Sequence, residues 1–167
     1  MRKLPLVIGL ASALGLSACG GGASATQPSS PTTNATTTAP QVSVKAAGAE
    51  YLKLVAPTNE AIQAFSTTTA TWSDTTSASA AQAAAAPLIS SFQSLQNGLV
   101  TSSWPSSAQP DVKSLDSSIG PVVGDLQSIG STNIFNESSW LATLSRDLGV
   151  LATNVGIVRH DLGLPAA

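Results

Sequence analysis

The sequence is short of charge. Only 10% of its residues are Asp, Glu, Lys or Arg, against roughly 25% in ordinary globular proteins. Seven basic and nine acidic residues leave a formal charge of −2. The basic ones are scattered over Arg2, Lys3, Lys45, Lys53, Lys113, Arg146 and Arg159. Neutralising phosphates takes clustered Lys and Arg, so nucleic acid is excluded as a partner. Adsorption to anionic lipid by charge alone is excluded on the same ground.

Chemistry-bearing residues are as sparse. A single cysteine, Cys19, forbids an intramolecular disulfide and a Cys-based zinc cluster. The single histidine, His160, is followed by Asp161, but neighbours on a helix point about 100° apart and cannot form a triad pair. Di-metal bundles need Glu-x-x-His pairs facing inward. Neither Glu50, Glu60 nor Glu137 stands three residues before a histidine. Gly20-Gly21-Gly22 precedes no strand or helix, so it makes no phosphate loop. The acids Asp111, Asp116, Asp125, Asp147 and Asp161, with Arg146 and Arg159 beside them, read as solvated faces and surface ion pairs. The expectation is a protein that is not an enzyme and holds no metal or cofactor.

What is present begins with an address. Met1-Arg2-Lys3 is a short positive segment, and Leu4 to Leu14 is apolar. A helix of that length rises about 16 Å, well short of a bilayer core of about 30 Å. The segment suits a cleaved signal peptide over residues 1–18. It ends in Leu16-Ser17-Ala18-Cys19, an aliphatic residue, two small ones and a cysteine. This resembles the lipobox of bacterial lipoproteins. The resemblance implies that Cys19 receives a diacylglyceryl group, that cleavage falls just before it, and that the protein stays on the extracytoplasmic face of a membrane. Two acyl chains anchor stably where one does not. Loss of Arg2 and Lys3 would leave five basic and nine acidic residues, a formal charge of −4.

Residues 20–43 carry no charge and no aromatic, and are rich in Ser, Thr, Pro and Gly. Such a stretch cannot offset the entropy of ordering, so residues 19–44 are expected to form a lipidated, disordered tether. From residue 45 the apolar residues recur at spacings of three and four. One stripe is Tyr51, Val55, Thr58, Ile62, Phe65, Thr69 and Trp72; a second is Ala81, Ala85, Leu88, Phe92, Leu95 and Leu99. Val112, Leu115, Ile119, Val122, Leu126 and Ile129 make the third, and Leu141, Leu144, Leu148, Leu151, Val155, Val158 and Leu162 the fourth. This is the signature of helices packed at a shallow angle. No run alternates with period two. Polar breaks at residues 73–77, 102–107 and 130–133 separate the stripes, Pro110 suits a first helical turn, and Gly163 and Pro165 suit a stop. Short loops favour antiparallel neighbours, so residues 45–164 are expected to form an all-α, up-down-up-down four-helix bundle.

Two features stand out within that bundle. Pro57, Pro87 and Pro121 interrupt helix interiors, and counting from the tethered end puts them and Gly149 within roughly 5 Å of one level. Kinks there could open a partly polar cavity near Thr58, Asn59, Asp125 and Asp147, or simply curve all four helices together; matched curvature is the expected outcome. Trp72, Phe135 and Trp140 fall at the end remote from the membrane. They form either a contact patch for a partner or plugs for the open end of a narrow bundle, the plug being the expected role. The ending Val158-Arg159-His160-Asp161-Leu162-Gly163-Leu164-Pro165 is similar to endings in small alanine-rich actinobacterial exported proteins of helical type, a resemblance that implies no activity. The functional expectation is an envelope lipoprotein, held to the membrane through its lipidated cysteine, whose bundle binds an envelope protein or a small ligand; a purely structural adaptor is the alternative, with an envelope hydrolase a distant third.

Overall fold

The computed structural model describes residues 42–73, 75–129 and 138–166. Four helices follow in order: α1 (Val44–Thr69), α2 (Ala78–Thr101), α3 (Gln109–Ser128) and α4 (Ser138–Asp161). Among the described residues there is no strand. The described residues form an all-α, up-down-up-down four-helix bundle.

Each helix begins and ends for a local reason. Ser43 caps α1, its Oγ accepting from the Ala46 N–H at 3.2 Å. The helix thus starts one residue earlier than the periodicity suggests, because the polar residue before the stripe serves as cap. Ser77 caps α2 in the same way, accepting from Ala80 at 3.2 Å. Pro110 occupies the first turn of α3, where its missing N–H leaves nothing unsatisfied. The end of α4 closes in a Schellman turn: Leu164 N–H reaches Arg159 O at 2.8 Å and Gly163 N–H reaches His160 O at 3.0 Å. That turn needs the left-handed φ of +64° that Gly163 supplies. The stretch Thr67-Thr68-Thr69 stays helical, its hydroxyls bonding back to the carbonyls of Gln63, Ala64 and Ser66.

The stripes are the core. Every member of the second and third is buried, as are Tyr51, Val55, Thr58, Ile62, Phe65 and Thr69 of the first. In the fourth, Leu141 and Leu148 are half-buried and the rest of the stripe is buried. Close backbone packing follows chain order: α1 on α2, α2 on α3, α3 on α4. α1 and α4, which should close the ring, do not share such an interface. They meet at the foot of the bundle, where an added Cβ on Gly48 of α1 would lie 3.2 Å from Leu162 O and 3.3 Å from the Leu164 side chain. Only a glycine lets α1 approach the C-terminal turn that closely.

Arg159 corrects the reading of the charges. It is 1% exposed, not a surface group. Four residues separate it from Val155, so it shares the inward face of α4, and the Schellman turn folds Pro165 back over it. Its Nε donates to Pro165 O at 2.8 Å.

Candidate functional site

Pro57, Pro87 and Pro121 lie inside α1, α2 and α3, and all three are exposed. The carbonyls deprived of a donor belong to Lys53, Ala83 and Ser117, likewise on exposed positions where water can reach them. Gly149 is exposed too, with nothing within 4 Å of an added Cβ. The interruptions therefore occupy the solvent side of each helix, the side on which a helix wrapping a core lengthens.

An apolar pocket lies on the core side next to this level. Ile62, Phe65 and Ser66 of α1, Leu88 and Phe92 of α2, Val122 and Leu126 of α3, and Leu144 and Leu148 of α4 line it. Leu88 and Val122 directly follow the prolines of their helices, and Leu148 directly precedes Gly149. The cavity measures about 20 Å³, little more than one water-sized sphere. It differs from the partly polar cavity that is the alternative to matched curvature: Thr58, Asn59, Asp125 and Asp147 take no part in its lining. The Thr58 hydroxyl instead bonds Ser91 O at 3.3 Å, tying α1 to α2. Two lining residues are half-buried rather than buried, Ser66 and Leu148. They belong to α1 and α4, the helices without close backbone packing on each other, so the pocket is least covered on that side.

The aromatic residues of the distal end are built into the bundle. Trp140 is buried, and its Nε1 donates to Asp125 O at 3.1 Å and to Ser128 Oγ at 2.9 Å. Trp72 is half-buried and meets Phe65 edge to face, with centroids 5.8 Å apart. Phe135 lies outside the described residues, as do Cys19, Leu16, Ser17 and Ala18. At the opposite end Trp104 is buried and donates to Leu99 O at 2.7 Å.

Polar groups gather in two places that the sequence reading passed over. At the foot, Tyr51 is fully buried beside Arg159, and its hydroxyl meets no hydrogen-bond partner among the described residues. Burial pushes the phenol up to about 12, against a smaller opposing pull from the Arg159 charge. Along the α3–α4 interface, acids pair across the helices. Asp111 is hydrogen-bonded to Asp161, which raises it above the usual carboxylate range. Asp125 is raised by burial first and by the Asp147 charge second. Asp147 is held low, chiefly by its hydrogen bond to Arg146, whose Nε lies 2.7 Å from Asp147 Oδ1. The available signal was a spacing of seven: Asp111, Ser118, Asp125 on α3 and Asp147, Asn154, Asp161 on α4.

His160 is exposed and its Nδ1 stands 3.3 Å from Asp161 Oδ1. Among the described residues no group of three or more His, Cys, Asp or Glu is arranged to hold a metal ion. Among the described residues no helix is long and apolar enough to cross a membrane. No protein-family model, no curated protein and no solved structure matches this chain.

Proposed function

We propose that this chain is a lipid-anchored, extracytoplasmic binding protein without enzymatic activity. In this reading Cys19 carries a diacylglyceryl group, residues 20–43 lift the bundle off the bilayer, and the bundle engages an envelope protein or a small ligand through the mouth between α1 and α4. The observation that carries the binding half is the pocket itself, apolar on four sides and open where two helices fail to close. At about 20 Å³ it takes an apolar group of roughly methyl size. Anything larger must part the helices that line it. The anchoring half rests on the Leu16-Ser17-Ala18-Cys19 sequence and on the stability that two acyl chains give.

A positional adaptor is the second reading. Trp72 and Trp140 favour it, because they close the distal end instead of projecting from it.

Metabolic labelling with a fatty-acid probe tests the anchor. The wild-type protein is expected to take up label and remain with membranes, and Cys19→Ala to lose label and appear in the soluble fraction. An unlabelled wild-type protein, or a Cys19→Ala variant that keeps the label, overturns it.

A further inference from the structure

Fourteen residues separate Asp111 from Asp125 on α3, and fourteen separate Asp147 from Asp161 on α4. That is about four turns of helix. In antiparallel helices this equality brings both pairs to matching heights at once, Asp111 opposite Asp161 and Asp125 opposite Asp147. Two hydrogen bonds fix the register. Asn154 Nδ2 donates to Ser114 O at 3.3 Å between the pairs, and Trp140 Nε1 donates to Asp125 O at 3.1 Å beyond them.

An ionised carboxylate only accepts hydrogen bonds, so two of them face to face repel; a single proton turns one into a donor for the other. At the upper pair the need is visible. No donor among the described residues reaches the buried Oδ2 of Asp125, and Arg146 already occupies Oδ1 of Asp147. We infer that the α3–α4 interface is an acid-tightened clasp, two carboxyl pairs that repel while ionised and that tighten when a proton is shared across each.

The groups facing the pairs set the pH window. From α4, Arg146 bears on Asp147 and also pulls Asp125 down, against the larger raising effects of burial and of Asp147, and His160 stands beside Asp161. α2, packed on the other side of α3, holds no titratable residue. α1 reaches α4 at the foot, where Tyr51 faces Arg159. Asp111 and Asp125 are raised in the folded state, so below the unfolded value near 3.9 their contribution is fully present, and it is lost as pH climbs through their folded values. Asp147 is lowered, so its contribution has the opposite sign and is lost only below that unfolded value. Between neutral pH and about pH 4, acidification therefore tightens the clasp.

Melting of the full chain, followed by helical ellipticity, tests this. Passing from about pH 7.5 to about pH 4 is expected to raise the wild-type Tm by about 2–4 °C. Added salt at neutral pH is expected to raise it as well, by screening the repulsion. The double variant Asp111→Asn, Asp125→Asn is expected to show a higher Tm at neutral pH and to lose most of both dependences. Asp116→Asn, outside the pairs, is expected to keep them. A wild-type Tm that falls steadily on acidification, or a double variant with the wild-type pH and salt profile, overturns the clasp.

Discussion

Tyr51 is the only tyrosine in the chain, and its environment is unusual for one. The ring fills the foot of the core while the hydroxyl goes without a hydrogen bond among the described residues. Desolvation opposes the phenolate more than the neighbouring Arg159 favours it, which places the group at about 12 against an ordinary 10.0. Because this folded-state value is raised, the stability tied to it is whole below pH 10 and drains away as the pH rises through the folded value of about 12. An ultraviolet titration reads this residue without interference from another tyrosine. The expected result is a single ionisation near 12 coinciding with alkaline loss of structure. Tyr51→Phe is expected to leave stability at neutral pH unchanged or higher by about 1 kcal/mol, since it removes a buried polar atom that has no partner. A normal titration near 10 would show that water reaches the hydroxyl. Tyr51 was legible in the sequence as a core position, but not its neighbour. Charge is a strong cue for exposure, and at position 159 it hid the four-residue step from Val155 that turns Arg159 inward.

At the scale of the element, α2 shows how little local chemistry a helix needs. Its residues, Ala78–Thr101, include no charged side chain. It has neither an acid in its first turn nor a base in its last to oppose the dipole. What starts it is the Ser77 Oγ bond to the Ala80 N–H, and what holds it is the stripe from Ala81 to Leu99. With no charge to share the task, Ser77→Ala is expected to lower unfolding free energy by about 1 kcal/mol, measured by urea denaturation, with Ser77→Gly milder. An unchanged midpoint would mean that packing alone sets where the helix begins. The stripes themselves were readable because a helix packed on one side must repeat its apolar residues every three or four positions. The carboxyl pairs were not, although their repeat of seven is as regular. A periodicity in polar residues looks the same whether the face is solvated or shared with a second helix, and only the α3–α4 register distinguishes the two.

The molecule as a whole is fastened unevenly. At the foot, Gly48 lets α1 close on Leu162 and Leu164, and the Gly163 turn folds Pro165 over Arg159. Above that level the close backbone packing of α1 is on α2 and that of α4 is on α3, with the pocket lined by Ser66 and Leu148 between α1 and α4. Loop lengths foretell antiparallel order, but they do not say whether the first and last helices close a ring, since no short connection joins them. Backbone hydrogen bonds open locally where the fewest buried contacts must break. The distal half of α1, beyond Pro57, is therefore expected to swing outward first, with the proline as its hinge and the Thr58 bond to Ser91 holding α1 to α2 at that level. Native-state hydrogen exchange is expected to show α1 amides beyond residue 58 exchanging by a lower-energy opening than those between residues 48 and 56, and earlier than the core of α3. Such an opening would widen the pocket mouth and admit a ligand larger than a methyl group without unfolding the foot. Uniform protection along α1 would mean that the pocket stays closed and that binding, if it occurs, uses another surface.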